Sequence, residues 1–582
     1  RKISNEVGNS CRDSYAEIID APNVVDALES YDDGFYRAEK TYQRMVNDNM
    51  AYGLRGVSHS SSVMNTRAIK FLENLGYFTQ SFESKYEGNS PIADSLLGIK
   101  YVIDDPTRKQ GDKNILDASY NKVFSTNIKS YYEPQQIIRK NALDVYENPN
   151  ALAIGYMADD DIIRYGSLGT ENPFDNINNY LSALTGNTPE ITQPVSGKVK
   201  LNPKQYYKRV ELAEDAVNYD INSVYLHDYV NPSTGTVHDT YEARAGAADA
   251  VVNVNMTVPV DGDIYMHLGS EIKRQCNVWI GIKDETGEYH GRNSTFYDGC
   301  GTYFETNSSP IVRLGKFAKG EEIQVRFTII STGPNNTYDG TDEYIMVRKN
   351  ESDGGSGFHF YYLDREEFEK DINTLKAQQW EIDTDKSTER HLVGKVTAKA
   401  NQLLVTSIPY EPGWTIKVDG KKLDTRIVEQ EDEEGKVKLL NYDSGDGELI
   451  LMDSVIGIRL GEGEHTVEMI YTPPGFKFGV VTLILGIGAI VMLYLYDRKK
   501  NSVLIARRRI KEQGASETDA EKVTEKKVQI IKSKGAVSEN VITAKQEDSS
   551  KNDKKNDNKS EEKAPETEKS DEESETPEKD EE

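Results

Sequence analysis

An uncharged run of nineteen residues, "FGVVTLILGIGAIVMLYLY" from Phe478 to Tyr496, most constrains what this chain can fold into. As a helix rising 1.5 Å per residue it spans roughly 28 Å, close to the hydrocarbon thickness of a bilayer. The next segment, 497–511, is rich in Arg and Lys, and basic residues beside a span mark its cytoplasmic side. A buried core helix is rarely this long and free of charge. The sequence therefore predicts one membrane helix at 476–496, with residues 1–473 outside the cytoplasmic membrane and the carboxyl terminus in the cytoplasm.

The segment after the membrane helix consists mainly of Glu, Lys, Ser, Asp and Asn and ends in "EESETPEKDEE". Such a composition cannot bury enough apolar surface to offset its ordering entropy, so residues 512–582 are predicted to be disordered. The net charge of −27 is not mostly located there, because residues 1–496 alone carry −24. So acidic an outer part argues against nucleic acid as a partner.

The three cysteines, Cys11, Cys276 and Cys300, are too few for a disulfide framework. Cys276 and Cys300 lie in the same strand-rich region, and the sequence is equally consistent with a disulfide between them and with two free thiols. The acidic stretches Asp159–Asp161 and Asp443–Glu448 lack the ligand series of a calcium loop, and the second is most simply a hairpin turn. With no zinc spacing and no glycine-rich phosphate loop in the sequence, we expect neither a metal nor a cofactor.

The first part of the chain mixes helix and strand patterns. "SVMNTRAIKFLENLGYF" has apolar residues at helical spacing, and Gly76 stands where such a helix would stop. In "SLLGIKYVID" the residues Leu97, Ile99, Tyr101 and Ile103 alternate as in a strand. A second strand pattern, "LDVYENPNALAIGYM", is interrupted by the turn residues Asn-Pro-Asn.

The later outer part is dominated by short strands separated by Gly, Asp and Asn turns, a pattern typical of antiparallel sandwiches. One amphipathic helix, "LDREEFEKDINTLKAQQWEI", interrupts them. The predicted fold class is α+β and mostly β, with one carboxyl-terminal transmembrane helix and a disordered tail. The predicted segments are a mixed α/β unit at 1–190, an antiparallel β-sandwich at 191–360, a helix plus juxtamembrane β-sandwich at 361–475, the membrane helix at 476–496, a basic segment at 497–511 and the tail at 512–582.

Six stretches in order along residues 35–495 give the chain a specific resemblance to the YfhO family of bacterial membrane proteins. They are "YGLRGVSHSSSVMN" (52–65), "DSLLGIKYVI" (94–103), "VYENPNALAIGYM" (145–157), "NPFDNINNYLSALTG" (172–186), "IPYEPGWTIKVDGKK" (408–422) and "GEHTVEMIYTPPGFKFG" (463–479).

The resemblance implies a membrane glycosyltransferase that glycosylates a cell-envelope polymer, such as teichoic acid, from a polyprenyl-phosphate-linked sugar. Its partners would be the bilayer, that lipid-linked sugar and the polymer. The family resembles enzymes with an amino-terminal bundle of many spans and a catalytic carboxylate in an early outer loop. No such bundle precedes Tyr52 in this sequence, so we expect the catalytic residue to lie outside this chain.

The densest group of reactive side chains lies in the "RGVSHSSSVMN" part of the first stretch. Hydroxyl groups at a helix start can hold a phosphate, and Ser62 or an adjacent serine could cap the following helix. Helix capping with a polar loop is the simpler alternative. The candidate substrate-binding residues are Tyr52, Arg55, His59, Ser61, Ser62 and Asn65, whereas the catalytic residue remains unknown.

Trp414 lies between a Pro-Gly turn and an Asp-Gly turn in "SIPYEPGWTIKVDGKKL", a pattern that predicts a β-hairpin with one apolar face. The indole could stack on a sugar ring, or it could be a core residue of the juxtamembrane sandwich.

Two functions therefore remain open for the chain. The first is the outer and carboxyl-terminal part of a membrane glycosyltransferase. The second is a single-pass surface protein with a carbohydrate-binding or adhesive ectodomain and no catalytic activity. The region upstream of Arg1 would discriminate between them, since many spans favour the first and a cleavable signal peptide favours the second.

Overall fold

The computed structural model of the chain describes residues 22–512 with gaps, together with residues 522, 525 and 526. The gaps are 43–44, 81, 89, 106–115, 117–118, 130–139, 165–171, 188–202, 231, 233–234, 236, 268–275, 298–309, 332, 334–336, 341–342, 349–356, 424–426, 432–436, 442–447 and 453. Residues up to Pro474 form one compact unit, and residues from Gly475 form a second.

The amino-terminal part of the first unit combines helices with two small sheets. Its helices are α1 (Pro22–Tyr31), α2 (Asp48–Tyr52), α3 (Thr66–Asn74), α4 (Pro91–Leu97), a 3-10 helix (Asp160–Arg164) and α5 (Pro173–Leu184). Its strands are β1 (Arg37–Lys40), β2 (His59–Ser60), β3 (Phe78–Gln80), β4 (Glu83–Lys85), β5 (Ile99–Asp104), β6 (Asn121–Lys129), β7 (Lys140–Glu147) and β8 (Gly155–Asp159). The sheet orders are β1-β5-β7-β6, in which β1 and β5 are parallel, and β2-β4-β3.

The helix predicted before Gly76 is confirmed as α3, whose Phe71 and Leu72 are buried. Its cap differs from the expectation: Asn65, not Ser62, accepts hydrogen bonds from the N–H groups of Arg67 and Ala68 at 3.0 and 3.2 Å. The strand predicted from Leu97 starts only at Ile99. Leu97 instead ends α4, because Ser90 caps that helix and Gly98 takes a left-handed conformation (φ 72°) after it.

The middle of the chain forms the predicted run of antiparallel strands. They are β9 (Tyr207–Arg209), β10 (Val217–Tyr219), β11 (Val224–Val230), β12 (Val237–Ala243), β13 (Val251–Thr257), β14 (Gly262–His267), β15 (Cys276–Lys283), β16 (Tyr289–Tyr297), β17 (Val312–Phe317), β18 (Glu322–Ile329), β19 (Tyr344–Arg348) and β20 (His359–Leu363). The sheets have the orders β10-β13-β18-β15-β16, β11-β12-β19 and β17-β14-β20-β9. Side chains from all three sheets share one apolar core, which makes this part a sandwich.

Helix α6 (Arg365–Lys376) follows and confirms the predicted amphipathic helix, whose apolar residues Phe368, Ile372 and Leu375 are buried. The remaining strands are β21 (Glu381–Ile382), β22 (His391–Ala398), β23 (Gln402–Pro409), β24 (Trp414–Val418), β25 (Lys421–Lys422), β26 (Ile427–Glu431), β27 (Val437–Asn441), β28 (Glu448–Leu451), β29 (Val455–Arg459) and β30 (Gly463–Tyr471). They form the sheets β21-β22-β30-β24-β25, β28-β29-β23-β8 and β26-β27. Strand β8 thus leaves the amino-terminal part and pairs with β23.

The predicted hairpin is confirmed as β24 and β25, joined through Asp419 and Gly420 with φ of 50° and 78°. Two left-handed residues in a two-residue loop define the tight turn that matches the twist of the strands.

The carboxyl-terminal unit contains the apolar segment. Helix α7 runs from Phe476 to Glu512, and it is long and apolar enough to cross a membrane. It therefore continues through the basic segment predicted at 497–511. The mostly β fold class is confirmed, and the part of the chain that the structure describes contains one such helix. The predicted tail at 512–582 lies almost entirely outside the described residues.

Burial raises the pKa of the Cys276 thiol to about 12, and among the described residues Cys276 forms no disulfide. Cys11 and Cys300 lie outside the described residues, as does most of the Asp443–Glu448 turn.

Candidate functional site

A cleft of about 310 Å³ opens on the first unit between α1, the loop before β1, the loop after α2 and the loop after β21. We call it the Phe35 cleft. Its wall and rim are formed by Val25, Leu28, Glu29, Asp32, Asp33, Gly34, Phe35, Tyr36, Ala38, Gly53, Leu54, Arg55, Thr384 and Ser387. A volume near 300 Å³ is at the lower end of small-ligand sites.

The loop before β1 is held in place by Asp32. One carboxylate oxygen accepts from the Gly34 N–H at 2.8 Å, and the other accepts from Lys100 Nζ at 2.5 Å and the Tyr101 hydroxyl at 2.8 Å. Burial raises the pKa of Asp32, but the hydrogen bonds from Lys100 and Tyr101 outweigh it, so that the pKa lies below its ordinary value. Asp32 is therefore an ionised anchor and a weak proton acceptor.

Aromatic rings line the cleft beside this anchor. The Tyr36 ring packs edge-on against Tyr101, with centroids 4.9 Å apart. Burial, and then the charges of Asp32 and Glu29, raise the pKa of Tyr36 to about 12, so its hydroxyl keeps its proton. A neutral phenol can both donate and accept hydrogen bonds.

Arg55 is the sequence-predicted candidate that reaches this cleft. Its guanidinium lies 4.1 Å from the centroid of the Phe35 ring, and its Nε donates to Glu389 at 2.8 Å. The side chain is 35% exposed, so the remaining N–H donors can meet a ligand.

The segment following Arg55 wraps around a buried carboxylate, Glu39. Its Oε1 accepts from the N–H groups of Val57 and Ser58 at 2.5 and 2.8 Å and from Asn49 Nδ2 at 2.9 Å. Its Oε2 accepts from the Ser58 hydroxyl at 3.1 Å. This stretch of the candidate segment is thus shaped by an internal charge.

The other polar candidates of this segment do not converge on the Phe35 cleft lining. The Tyr52 ring packs beneath Lys40, whose Nζ lies 5.1 Å from the ring centroid. The half-buried His59 lies in β2, paired with Ser84 of β4. The Ser61 hydroxyl accepts from the Val63 N–H at 3.2 Å, and Ser62 is exposed.

Asn65 and Trp414, the two remaining candidates, are linked through Glu411 and Tyr471. Asn65 Nδ2 donates to Glu411 Oε1 at 3.0 Å, and the Tyr471 hydroxyl donates to Glu411 Oε2 at 3.2 Å. The Tyr471 ring packs on Trp414 with centroids 5.2 Å apart. Trp414 is half-buried against the apolar core that β22, β24 and β30 share, so both its packing role and its sugar-stacking role remain predictions.

The acidic run at the end of β8 brings carboxylate oxygens of Asp159, Asp160 and Asp161 within 4.8 Å of one another. Asp160 also lies 3.6 Å from Arg459 Nη1. Acidic side chains at a protein surface are often this close without binding an ion, so we assign no metal site to this cluster.

Sequence reasoning missed Asp32, Phe35 and Glu39. The pair Asp32-Asp33 before Gly34 was a readable turn signal, but nothing in the local pattern indicates that Lys100 would reach it. Glu39 and Lys40 lie on a short strand with both side chains buried, which contradicts the alternation expected of a half-exposed strand.

Solved structures resemble the chain only distantly. An arabinofuranosyltransferase, AftD, from Mycobacteria aligns over 56% of this chain and 32% of its own with 12% identity and a TM-score of 0.17. An isomalto-dextranase from Arthrobacter globiformis aligns over 45% and 32% with 8% identity and a TM-score of 0.15. A conserved protein of unknown function from Pseudomonas aeruginosa aligns over 46% and 92% with 10% identity and a TM-score of 0.10. These low scores transfer neither fold nor function to this chain.

Sequence comparison is more informative. The uncharacterized protein YfhO of Bacillus subtilis is 25% identical over 138 residues, which are 23% of this chain and 13% of that relative. The aligned part thus spans a small share of the relative's length. The family model of the bacterial membrane protein YfhO matches residues 1–482, most of the chain. The protein therefore belongs to the YfhO family of bacterial membrane proteins.

Proposed function

We propose that this chain is the outer portion and last membrane helix of a glycosyltransferase that glycosylates a cell-envelope polymer from a polyprenyl-phosphate-linked sugar. Within it, the Phe35 cleft would hold the polymer acceptor, a hydroxyl-rich chain such as teichoic acid. Membership of a bacterial membrane protein family and the apolar helix α7 support a location at the membrane.

The observation that carries the proposal is the chemistry of the Phe35 cleft. A guanidinium, carboxylates and a neutral phenol surround an aromatic floor, so hydroxyl groups would find both donors and acceptors there. The Phe35 and Tyr36 rings offer apolar surface for the C–H side of a sugar or polyol.

The cleft fits binding better than chemistry. A general base has to accept a proton near neutral pH, and the lowered pKa of Asp32 disfavours this. In this proposal the transfer step uses a carboxylate outside this chain, as the family resemblance implies. The cleft would raise the local concentration of the acceptor and orient the acceptor for that step.

Orientation is part of the proposal: residues 1–473 face the outside, and the tail lies in the cytoplasm. The test uses two single-cysteine variants, Ser62→Cys and Ser550→Cys, in a background with the three natural cysteines replaced by serine. Intact cells that produce each variant are treated with a membrane-impermeant maleimide. We expect labelling at position 62 only. Labelling at position 550 would contradict this orientation.

The functional test compares two variants in the full-length protein in its host. Arg55→Ala removes the guanidinium, whereas Glu389→Gln breaks the same ion pair but leaves Arg55 in place. We expect Arg55→Ala to lower the sugar content of the envelope polymer about ten-fold, the effect of losing roughly 1.4 kcal/mol of binding. Glu389→Gln should stay close to the parent, and equal losses in both variants would refute a ligand-binding role.

The second candidate function, a carbohydrate-binding or adhesive ectodomain, rests on the same cleft chemistry without a transfer step. It predicts that Arg55→Ala weakens glycan binding by the purified chain while the sugar content of the polymer stays unchanged. Measuring both quantities on the same variant separates the two functions.

A further inference from the structure

The outer face of the five-stranded sheet β10-β13-β18-β15-β16 presents amide side chains, an arginine and a tryptophan. Alternate residues of β13, β15 and β18 enter the core of the sandwich, among them Val254, Val278 and Val325. The residues between them point away from that core, because successive strand side chains face opposite sides. They form a second, solvent-facing surface.

Two rows of side chains cross this surface in direct register. The first row joins Asn218 to Asn253, Asn253 to Arg326 and Arg326 to Trp279. At about 4.8 Å between strands it is roughly 14 Å long. The second row joins Asn255 to Gln324, Gln324 to Gly281 and Gly281 to Gly291. We call the two rows together the Trp279 face.

Trp279 lies along the sheet because the second row ends in two glycines. A Cβ at Gly281 would lie 2.2 Å from Cη2 of the indole, and a Cβ at Gly291 would lie 2.7 Å from Nε1. Any other residue at either position would push the ring outward. The half-exposed indole is thus spread over the strands as a broad apolar platform.

Arg326 adjoins this platform and is fixed in place. Its guanidinium carbon is 4.6 Å from the centroid of the Trp279 ring. It donates to Asn253 Oδ1 at 3.2 Å and to Gln324 Oε1 at 3.1 Å, which uses two of its five N–H bonds. The group is therefore oriented before any ligand arrives, which lowers the entropic cost of binding.

The amides of the Trp279 face are held in the same way. Gln324 Nε2 donates to Asn255 Oδ1 at 3.0 Å, and Asn253 Nδ2 donates to Asn218 Oδ1 at 3.4 Å. Each amide has two donor hydrogens and two acceptor lone pairs. Gln324 is buried beneath the face and orients Asn255 and Arg326. The partly or fully exposed Asn218, Asn253 and Asn255 retain capacity for a further partner. Groups that donate and accept side by side match vicinal hydroxyl groups.

The charge on this face narrows the choice of partner. The described residues of the two rows contain one cation, Arg326, and no carboxylate, in a chain of net charge −27. Beyond the second row, Glu322 and Lys283 pair with each other. A basic protein surface would find no anionic partner in the rows, and an apolar peptide would desolvate their amides without replacing those hydrogen bonds.

We propose that the Trp279 face binds a hydroxyl-rich glycan chain, laid across the strands along the row from Asn218 to Trp279. A sugar ring packs against the indole at one end, and successive hydroxyl groups bond to the guanidinium and the amides. This site is separate in sequence and in sheet from the Phe35 cleft, and it does not depend on the proposed transferase function.

The test uses the full chain in lipid nanodiscs and four neutral hexasaccharides: maltohexaose, cellohexaose, chitohexaose and mannohexaose. Binding is measured by calorimetry and by tryptophan fluorescence, with polyglutamate as the anionic comparator. We expect at least one hexasaccharide to bind, and Trp279→Ala and Asn253→Ala to weaken it about ten-fold.

Tyr225→Ala is the matched control, since Tyr225 is an exposed ring of the same sandwich with Arg244 5.3 Å from its centroid. It should leave the affinity within about two-fold of the parent. Urea unfolding of each variant establishes that the sandwich is intact, and Trp279→Phe provides a milder change should Trp279→Ala unfold.

Three results would overturn the proposal: no hexasaccharide binds, polyglutamate binds as well as the sugars, or intact Trp279 variants bind like the parent. Binding that Arg55→Ala abolishes but Trp279→Ala leaves unchanged would place the sugar in the Phe35 cleft. In that case this inference fails while the proposed function stands.

Discussion

Replacing Glu39 by alanine tests whether the first candidate segment is shaped from beneath by a buried charge. Glu39 is fully buried, and its carboxylate accepts hydrogen bonds from two backbone N–H groups, an amide and a hydroxyl. The neighbouring Lys40 is 1% exposed, and burial lowers its pKa while the charge of Glu39 raises it. Glu39→Ala therefore removes the acceptor of several buried donors and a charge that, together with that of Asp48, raises the pKa of the buried Lys40 ammonium.

The magnitude follows from these contacts. A hydrogen bond to a charged group is worth roughly 1.5–3 kcal/mol, and the Glu39 carboxylate accepts one from each of four groups. Because the terms overlap, we expect Glu39→Ala to lower the free energy of unfolding by roughly 4–6 kcal/mol, a large part of the total for a domain. Glu39→Gln keeps one acceptor oxygen and should cost about half as much.

Two measurements check this expectation. Urea unfolding of the full chain gives the global change, and amide hydrogen exchange at Val57 and Ser58 reports the local one. A loss of 4 kcal/mol corresponds to exchange about a thousand-fold faster. The exposed Glu29 on α1 serves as the matched control, and Glu29→Ala should change stability by less than about 0.5 kcal/mol. Exchange at Val57 and Ser58 that stays within about ten-fold of the parent would refute the reasoning.

Three further outcomes are expected. Trp380→Ala should lower the free energy of unfolding by roughly 3–5 kcal/mol, measured by urea unfolding, because Trp380 is 1% exposed. Trp414→Ala should cost about half as much because Trp414 is half-buried, and equal losses in the two variants would contradict this difference in packing. Burial, with a smaller contribution from His359, lowers the pKa of His267 to about 3. Between about pH 6.5 and 3 this histidine is therefore protonated in the unfolded chain and neutral in the folded protein. The free energy of unfolding should fall as the pH drops through that range. His267→Gln should flatten that part of the melting-temperature profile, and an unchanged slope would count against it. Gly98→Ala should lower the free energy of unfolding by about 1–2 kcal/mol in the same urea assay. Gly98 has φ of 72°, and a Cβ added there would lie 2.8 Å from the Leu152 carbonyl oxygen. No loss of stability would mean that the loop relaxes freely.

The sequence by itself determined the features that depend on neighbouring residues. The uncharged run from Phe478 to Tyr496 requires a helix because a bilayer leaves backbone groups no other partner, and α7 contains it. The spacing of apolar residues determined α3 and α6, and the Asp419-Gly420 pair determined the β24–β25 hairpin. Each of these signals lies within a few turns of chain, which is the range over which periodicity and turn chemistry act.

Tertiary structure decided which distant segments meet. The strand pattern interrupted at Asn148–Asn150 reads as one unit, yet β8 leaves β7 and pairs with β23, about 245 positions later in the chain. The Asn65 amide reaches Glu411, and Arg55 reaches Glu389, through contacts that no local pattern encodes. Side-chain pairing of this kind depends on the packing of whole sheets, so many partners fit the sequence equally well.

The same distinction between local sequence and tertiary structure applies to the Phe35 cleft and the Trp279 face. The sequence identified Arg55 as a candidate ligand-binding residue, but only the fold placed it against Phe35, in the loop anchored by Asp32. The Asn and Arg residues of β13 and β18 read as ordinary outward positions of short strands. Only their register across the sheet aligns Asn253 and Arg326 with Trp279, because a shift of one residue would have turned these side chains into the core.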